Sequence, residues 1–129
     1  YKRQGVKITG PKKITKTGMF NYCWPGCLTV MYDAEKVGLI QIADIKKNND
    51  YAMWLKVCKK ADCYLLDEYL AEYRKGRKGS VSTHSVKTMI GWHYKLFKEA
   101  EQIGTTRSVI NTIRNMMFGF YKKQKYVKG

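Results

Sequence analysis

One carboxylate is a candidate for chemistry: Asp50, within the segment 48–57, NNDYAMWLKV. Tyr51, Trp54, Leu55 and Cys58 recur at helical spacing, which predicts a helix with one apolar stripe. Asn48 or Asn49 is the expected N-cap, so Asp50 falls in the first turn, where free N–H groups and the helix dipole favour an ionised carboxylate. Two interpretations follow, a carboxylate that only caps the helix and one that is held for catalysis.

The second feature is charge. The formal net charge is +15, and the excess lies at the two ends because residues 21–70 are nearly balanced. Arg74, Lys75, Arg77 and Lys78 form a basic cluster beside Tyr73. No helix-turn-helix, ribonucleoprotein aromatic pair or zinc finger accompanies this cluster, so we predict no nucleic-acid partner. A smaller polyanion, such as a nucleotide diphosphate or an anionic lipid headgroup, is served equally well.

The four cysteines, at 23, 27, 58 and 63, contain no Cys-x-x-Cys, and both histidines lie far from them. We therefore predict reduced thiols and no metal site in this chain. No run approaches 18 apolar residues and no secretion signal is present at the start, so the expected location is the cytoplasm.

The coarse pattern predicts an α+β arrangement with few strands. We expect short strands at 6–8, 27–32, 63–66 and 69–74, and a helix over 85–103 that Gly104 ends. His93 lies in the apolar stripe of that helix, so a hydrogen-bonded, semi-buried histidine is expected. Asp33-Ala34-Glu35 has acid-x-acid spacing, but it leads into the turn-like Val37-Gly38 and is predicted to be structural.

A second helix is predicted from Thr105 or Thr106. Its apolar face is followed by several lysines and comprises Val109, Ile110, Ile113, Met116, Met117, Phe120 and Tyr121. Two placements compete for residues 105–128: packing on the rest of the domain, or lying in the interface of an anionic membrane.

Taken in order, several motifs resemble the C-terminal, acceptor-side half of a family 2 glycosyltransferase of the GT-A fold. The resemblance is close over residues 19–102 and rests on the segments 20–33 (FNYCWPGCLTVMYD), 37–38, 48–57, 66–74 (LDEYLAEYR), 79–82 (GSVS) and 92–94 (WHY). It implies that residues 1–104 are part of a GT-A domain, followed at 105–129 by a basic amphipathic helix and tail.

The resemblance also implies a reaction. A sugar would move, with inversion, from a nucleotide-diphosphate donor to a hydroxyl of a glycan or lipid-linked acceptor in cell-surface polysaccharide synthesis. Asp50 would be the general base, and Arg74, Arg77 and Lys78 would contact the diphosphate, although the family often has a histidine in that loop and a solvated loop is the alternative. The implied substrate site comprises Trp24, Pro25, Gly26, Asn49, which replaces the family's usual Glu, and Trp54.

Trp24 has two interpretations, a platform on which a sugar stacks and a core tryptophan. The nucleotide-binding half and its Asp-x-Asp site would precede Tyr1, so a divalent metal, Mg or Mn, would be held mainly upstream. The isolated chain is expected to be inactive and to self-associate through an unpaired sheet edge and an uncovered apolar face. Peripheral attachment at the inner face of the cell membrane goes with the membrane placement of 105–128. A non-enzymatic basic module that binds RNA or anionic membranes is the alternative class.

Overall fold

The computed structural model describes residues 5–73, 78 and 84–128. Two irregular helical turns, a 3-10 turn at Cys27–Thr29 and a π-helical turn at Leu96–Ala100, accompany the regular elements. The helices are α1 (Lys16–Asn21), α2 (Ala34–Val37), α3 (Asn49–Cys58), α4 (Val86–Lys95) and α5 (Thr105–Tyr126). The strands are β1 (Lys7–Ile8), β2 (Lys13–Ile14), β3 (Cys63–Tyr64) and β4 (Val127–Lys128). The predicted mixture of helices and short strands is confirmed.

The strands form two antiparallel pairs. β1 pairs with β4, with Lys7 opposite Lys128, and β2 pairs with β3, with Ile14 opposite Cys63. The strand predicted at 6–8 is therefore confirmed at residues 7 and 8, and the strand predicted at 63–66 is confirmed at its first two residues.

Two predicted strands are wrong. At 27–32 the chain begins with a 3-10 turn, because the Gly26 carbonyl accepts hydrogen bonds from both the N–H (3.0 Å) and the hydroxyl (3.3 Å) of Thr29. Residues 30–32, which follow this turn, form no β-strand. Of the strand predicted at 69–74, residue 74 lies outside the described residues and residues 69–73 form no regular element. Tyr69, Leu70 and Tyr73 are exposed, so the apolar residues of this segment do not indicate a strand.

Helix α3 forms the centre of the core, as predicted. Tyr51, Trp54, Leu55 and Cys58 are all buried. They pack with Met19 of α1 and with the π-helical turn at Leu96 and Phe97. The N-cap position is Asn48, which has a left-handed backbone (φ 58°) and makes no side-chain capping bond.

The helix predicted over 85–103 is only partly correct. Ser85 caps α4 by accepting from the Thr88 N–H at 3.3 Å, and the helical path continues as the π-helical turn to Ala100. Gly104 does not end it: the positive φ (53°) is at Gln102, and Gly104 is the N-cap of α5. Of the predicted apolar stripe, Leu96 and Phe97 are buried, whereas Val86, Met89 and Ile90 are exposed.

Helix α5 packs against α1 and α4 with its polar side. The buried residues of this helix are Ser108, Asn111, Thr112 and Asn115. Of the two placements predicted for the apolar side of α5, packing on the domain is wrong for most of its side chains: Met116 is half-buried, whereas Val109, Ile110, Ile113, Met117, Phe120 and Tyr121 are exposed. The placement in a membrane interface stays a prediction. Among the described residues, no helix is both long and apolar enough to cross a membrane.

The acid-x-acid segment at 33–35 is structural, as predicted. Asp33 is the N-cap of α2 and its carboxylate accepts from the N–H groups of Glu35 (3.0 Å) and Lys36 (3.2 Å). Gly38 ends that helix with φ 87°, a conformation that suits a residue without a Cβ.

Candidate active site

Asp50 lies in the first turn of α3, and both of its carboxylate oxygens accept a hydrogen bond. The Tyr51 N–H donates to Oδ1 at 2.9 Å, and the Cys27 thiol donates to Oδ2 at 3.2 Å. Asn49 Oδ1 in turn accepts from the Asp50 N–H at 2.8 Å. The carboxylate is half-buried, so it is held in one orientation while an edge stays accessible to water. This geometry satisfies the capping interpretation and leaves the catalytic one open.

Cys27, which the sequence did not mark as a site residue, is the contact that joins Asp50 to the turn before it. Partial loss of water raises the pKa of the Cys27 thiol, and the bond to Asp50 raises that pKa further, since a carboxylate opposes a second negative charge. The nearby indole N–H of Trp54 acts in the opposite direction. Cys27 is therefore held as a neutral S–H donor.

Trp54 is only 8% exposed and its ring contacts Tyr32 edge to face at 6.4 Å between centroids. Its indole Nε1 is buried and makes no hydrogen bond among the described residues. A predicted substrate residue is thus part of the core beside Asp50, and it carries an unsatisfied donor on the side of Cys27.

A network of buried polar groups holds the start of α3 in place. The Tyr51 hydroxyl donates to the Met19 carbonyl at 2.6 Å and lies 3.1 Å from Asn115 Oδ1. The Asn115 amide donates to the Phe20 carbonyl and to the Asn111 carbonyl, both at 2.9 Å. This network fixes α3 to α1 and α5, so Tyr51, the residue that follows Asp50, is bonded to two other helices.

Trp24 makes the contacts of a core tryptophan. Its indole N–H donates to the Gly18 carbonyl at 3.1 Å. Its ring meets Tyr22, Phe118 and Tyr126 edge to face, with centroids 5.3 to 6.3 Å apart. The other interpretation of Trp24, a platform on which a sugar stacks, stays a prediction.

The neighbouring turn is more open than Trp24. A Cβ added to Gly26 would meet no atom within 4 Å, and Cys27 beside it is exposed. The Pro25 carbonyl faces inward and lies 3.5 Å from the Cys23 thiol, which donates to it. The surface over Gly26 and Cys27, beside Asp50, is therefore open.

The ε-ammonium of Lys122 reaches this turn from α5 and donates to the Trp24 carbonyl at 3.1 Å. Burial lowers the pKa of Lys122, whereas the Cys23 thiol next to it has its pKa raised, first by burial and then by the charge of Asp50.

The proposed diphosphate contacts are not brought to this site by any described contact. Arg74 and Arg77 lie outside the described residues, and Lys78 is an exposed turn residue. A shallow depression elsewhere on the described surface, lined by Thr15, Thr17, Lys59, Lys60 and Asp62 among others, includes none of the predicted site residues.

The described residues do not bring together three or more His, Cys, Asp or Glu side chains in a way that could hold a metal ion. Asp50 and Cys27 alone do not make such a site, so the residues here do not fit a metal centre, and the metal held upstream stays a prediction. All four cysteines are free thiols.

His93 was predicted to be hydrogen-bonded and semi-buried, and this is confirmed. Its Nδ1 lies 2.8 Å from the Met89 carbonyl and its ring contacts Tyr51 edge to face. Burial lowers its pKa.

Sequence reasoning missed three residues that shape the site: Cys27, Asn115 and Lys122. For Asn115 a signal was present, since Ser108, Asn111, Thr112 and Asn115 recur at helical spacing just as the apolar residues do. For Cys27 and Lys122 the local sequence held none.

The chain is 41% identical over 68 residues to a Bacillus subtilis (strain 168) protein named "Putative teichuronic acid biosynthesis glycosyltransferase TuaG". The chain is similar to a glycosyltransferase. This confirms the resemblance seen in the motifs and is consistent with a family 2 glycosyltransferase fragment.

The matched residues are 52% of this chain and 27% of the Bacillus relative, so the chain spans about a quarter of that protein's length. No protein-family model matches the chain. No solved structure matches it either.

Proposed function

We propose that this chain is the acceptor-side part of a GT-A glycosyltransferase that acts in cell-surface polysaccharide synthesis. The observation that carries the proposal is Asp50, whose carboxylate is fixed between a helix N–H and a thiol beside an open turn. The similarity to a protein named as a polysaccharide glycosyltransferase supports the choice of reaction.

In the proposed reaction the acceptor hydroxyl approaches over Gly26 and Cys27. Asp50 takes its proton as the hydroxyl oxygen attacks the anomeric carbon of the donor sugar. The bond from that carbon to the diphosphate breaks, and its electron pair leaves with the diphosphate oxygen, so the sugar is transferred with inversion. A weak base suffices, because the hydroxyl becomes acidic only as the new bond forms.

Cys27 and Tyr51 contribute by position. Each hydrogen bond occupies one lone pair of the carboxylate and leaves another on the same oxygen for the acceptor. A carboxylate fixed in this way loses little conformational freedom when the acceptor binds, which is how orientation contributes to rate. Asn49 bonds to the backbone next to Asp50 and adds no second charge there. The diphosphate contacts of Arg74, Arg77 and Lys78 belong to the same proposal.

The decisive experiment uses the longest natural polypeptide that contains this chain. It is incubated with a panel of nucleotide-diphosphate sugars and lipid-linked or glycan acceptors, and release of the nucleotide diphosphate is measured. We expect Asp50→Asn to lower turnover by a factor on the order of 10² or more, with little change in donor affinity. Asp44→Asn, the same chemical change at an exposed acid, is the matched control and should retain activity. Near-normal turnover of Asp50→Asn would remove Asp50 from the mechanism.

The division of labour has its own test. If the donor site is built by residues outside this chain, the 129-residue chain alone should neither transfer sugar nor bind a nucleotide sugar tightly. Calorimetry that shows micromolar, metal-dependent donor binding by this chain would contradict the proposal. Binding that ignores the nucleotide sugar and falls steeply with salt would instead favour the basic binding module.

A further inference from the structure

The outward side of the helical hairpin formed by α4 and α5 is the largest feature that the proposed reaction does not use. Ile113 is 54% exposed and Phe120 is 67% exposed. Val109, Ile110 and Met117 of α5 are also exposed, and α4 has exposed apolar residues at Val86, Met89 and Ile90. We call this set the hairpin apolar face.

The hairpin apolar face cannot be buried by a rotation of α5. The opposite side of the helix is fixed by the bond from Asn115 to the Phe20 carbonyl and by the bond from Lys122 to the Trp24 carbonyl. Arg114 is also bonded to Asn21. A rotation that hid Ile113 would break these bonds and leave buried polar groups unpaired.

Positive charge predominates around the face, and Glu99 in the π-helical turn is an exposed exception. Residues 102–129 contain no Asp or Glu, and the segment 84–98, which includes α4, contains none either. Glu101, in the turn between the helices, is 2% exposed in its side chain and paired with Lys59 at 2.6 Å. Arg107, Lys123, Lys125 and Lys128 remain exposed beside the apolar residues.

The exposed apolar residues and the positive charge around them together indicate which kind of partner the hairpin apolar face contacts. A second copy of the chain would bring the same positive charge to the contact, and the +15 of each copy opposes that approach. An apolar strip flanked mainly by cations is complementary to a surface that is apolar inside and negative at its boundary. An anionic lipid bilayer has both properties.

We propose that the hairpin apolar face lies in the interface of an anionic membrane, with α5 parallel to the surface. Ile113, Met117 and Phe120 enter the acyl boundary, and Lys123 and Lys125 contact lipid phosphates. This inference rests on the packing and charge of α5 and does not depend on the proposed sugar transfer.

The test is co-sedimentation of the longest natural polypeptide that contains this chain with vesicles of pure phosphatidylcholine and with vesicles that contain 30% phosphatidylglycerol, a negatively charged lipid. We expect binding to the anionic vesicles, little to the neutral ones, and a loss of binding as salt is raised. Lys123→Gln with Lys125→Gln should weaken anionic binding by about fivefold per lysine. Lys16→Gln with Lys46→Gln, at two exposed lysines of other elements, is the charge-matched control.

The apolar contribution is tested separately. Ile113→Gln with Phe120→Gln should lower the vesicle partition coefficient at least tenfold, because two apolar side chains no longer leave water. Leu39→Gln with Leu66→Gln, both exposed elsewhere, should leave partitioning unchanged. Thermal unfolding monitored by circular dichroism checks that all variants fold.

Three outcomes would overturn the proposal. One is equal binding to neutral and anionic vesicles. Another is anionic binding that the Ile113 and Phe120 changes leave intact, which would indicate adsorption by general charge. The third is self-association in sizing experiments that these two changes abolish while no vesicle binds, which would assign the face to a second copy.

Discussion

Helices α3 and α5 are both amphipathic in sequence, yet they bury opposite kinds of surface. α3 turns Tyr51, Leu55 and Cys58 into the core. α5 turns Ser108, Thr112 and Asn115 into the core and leaves Ile113 and Phe120 outside. A periodic pattern therefore identifies two faces of a helix but does not by itself decide which one the protein buries.

The difference has a physical cause in α1. That helix is six residues long, so the Met19 and Phe20 carbonyls near its end lack partners within it. The Tyr51 hydroxyl and the Asn115 amide supply them. Polar residues on α5 are buried because they satisfy backbone groups that an apolar face would leave unpaired.

The largest effect is expected from a substitution in the core around α3. Leu55→Ala removes a fully buried side chain and should lower the free energy of unfolding by about 2 to 5 kcal/mol. Urea denaturation followed by circular dichroism measures the change. Leu66→Ala, at an exposed leucine, is the control, and an equal loss there would mean that the core has been misassigned.

The second largest effect is expected at the buried polar residues of α5. Asn115→Leu keeps the volume but leaves the Phe20 carbonyl without its donor, so we expect a loss of about 1 to 3 kcal/mol. Tyr51→Phe should cost about 1 kcal/mol, since it removes one hydroxyl. A double-mutant cycle between the two positions should show coupling, because Tyr51 Oη and Asn115 Oδ1 are 3.1 Å apart. Strict additivity would argue against the shared network.

A smaller effect concerns His93, which lies against Tyr51 where α4 meets α3. Burial lowers its pKa, so the unfolded state takes up a proton first as the pH falls. Stability contributed by the neutral ring is complete above the unfolded pKa of about 6.5 and is lost as the pH falls below it. Unfolding measured between pH 7.5 and 5.5 should show this loss. His93→Phe should flatten the pH dependence, and His84→Phe, at an exposed histidine, should not.

The smallest expected effect tests directly whether α3 and α5 bury opposite kinds of surface. Ile113→Gln should change stability by no more than about 0.5 kcal/mol, because the side chain is already exposed. A loss as large as that of Leu55→Ala would show that α5 buries its apolar side after all, and the two helices would then follow one rule.

The sequence predicted α3, the start of α5 and the environment of His93 correctly because each is set by local periodicity and capping. It failed at 27–32, where the apolar run Cys27 to Tyr32 suggested a strand but Gly26 folds the backbone into a tight turn. It also missed Cys27 as the partner of Asp50, since a contact across 23 residues leaves no trace in local spacing. The proposed role of Asp50 rests on the resemblance to a glycosyltransferase family, because the geometry of its carboxylate alone does not assign that role.

The pairing of β1 with β4 has a consequence for how the protein is made. Lys7 lies opposite Lys128, and the bonds from Asn115 to Phe20 and from Lys122 to Trp24 also join distant parts of the chain. Contacts between residues so far apart form late, because a large loop must close before they are gained. During synthesis, α3 emerges from the ribosome long before α5 can cap the carbonyls of α1. The core of this segment therefore stays open during synthesis until α5 has been translated.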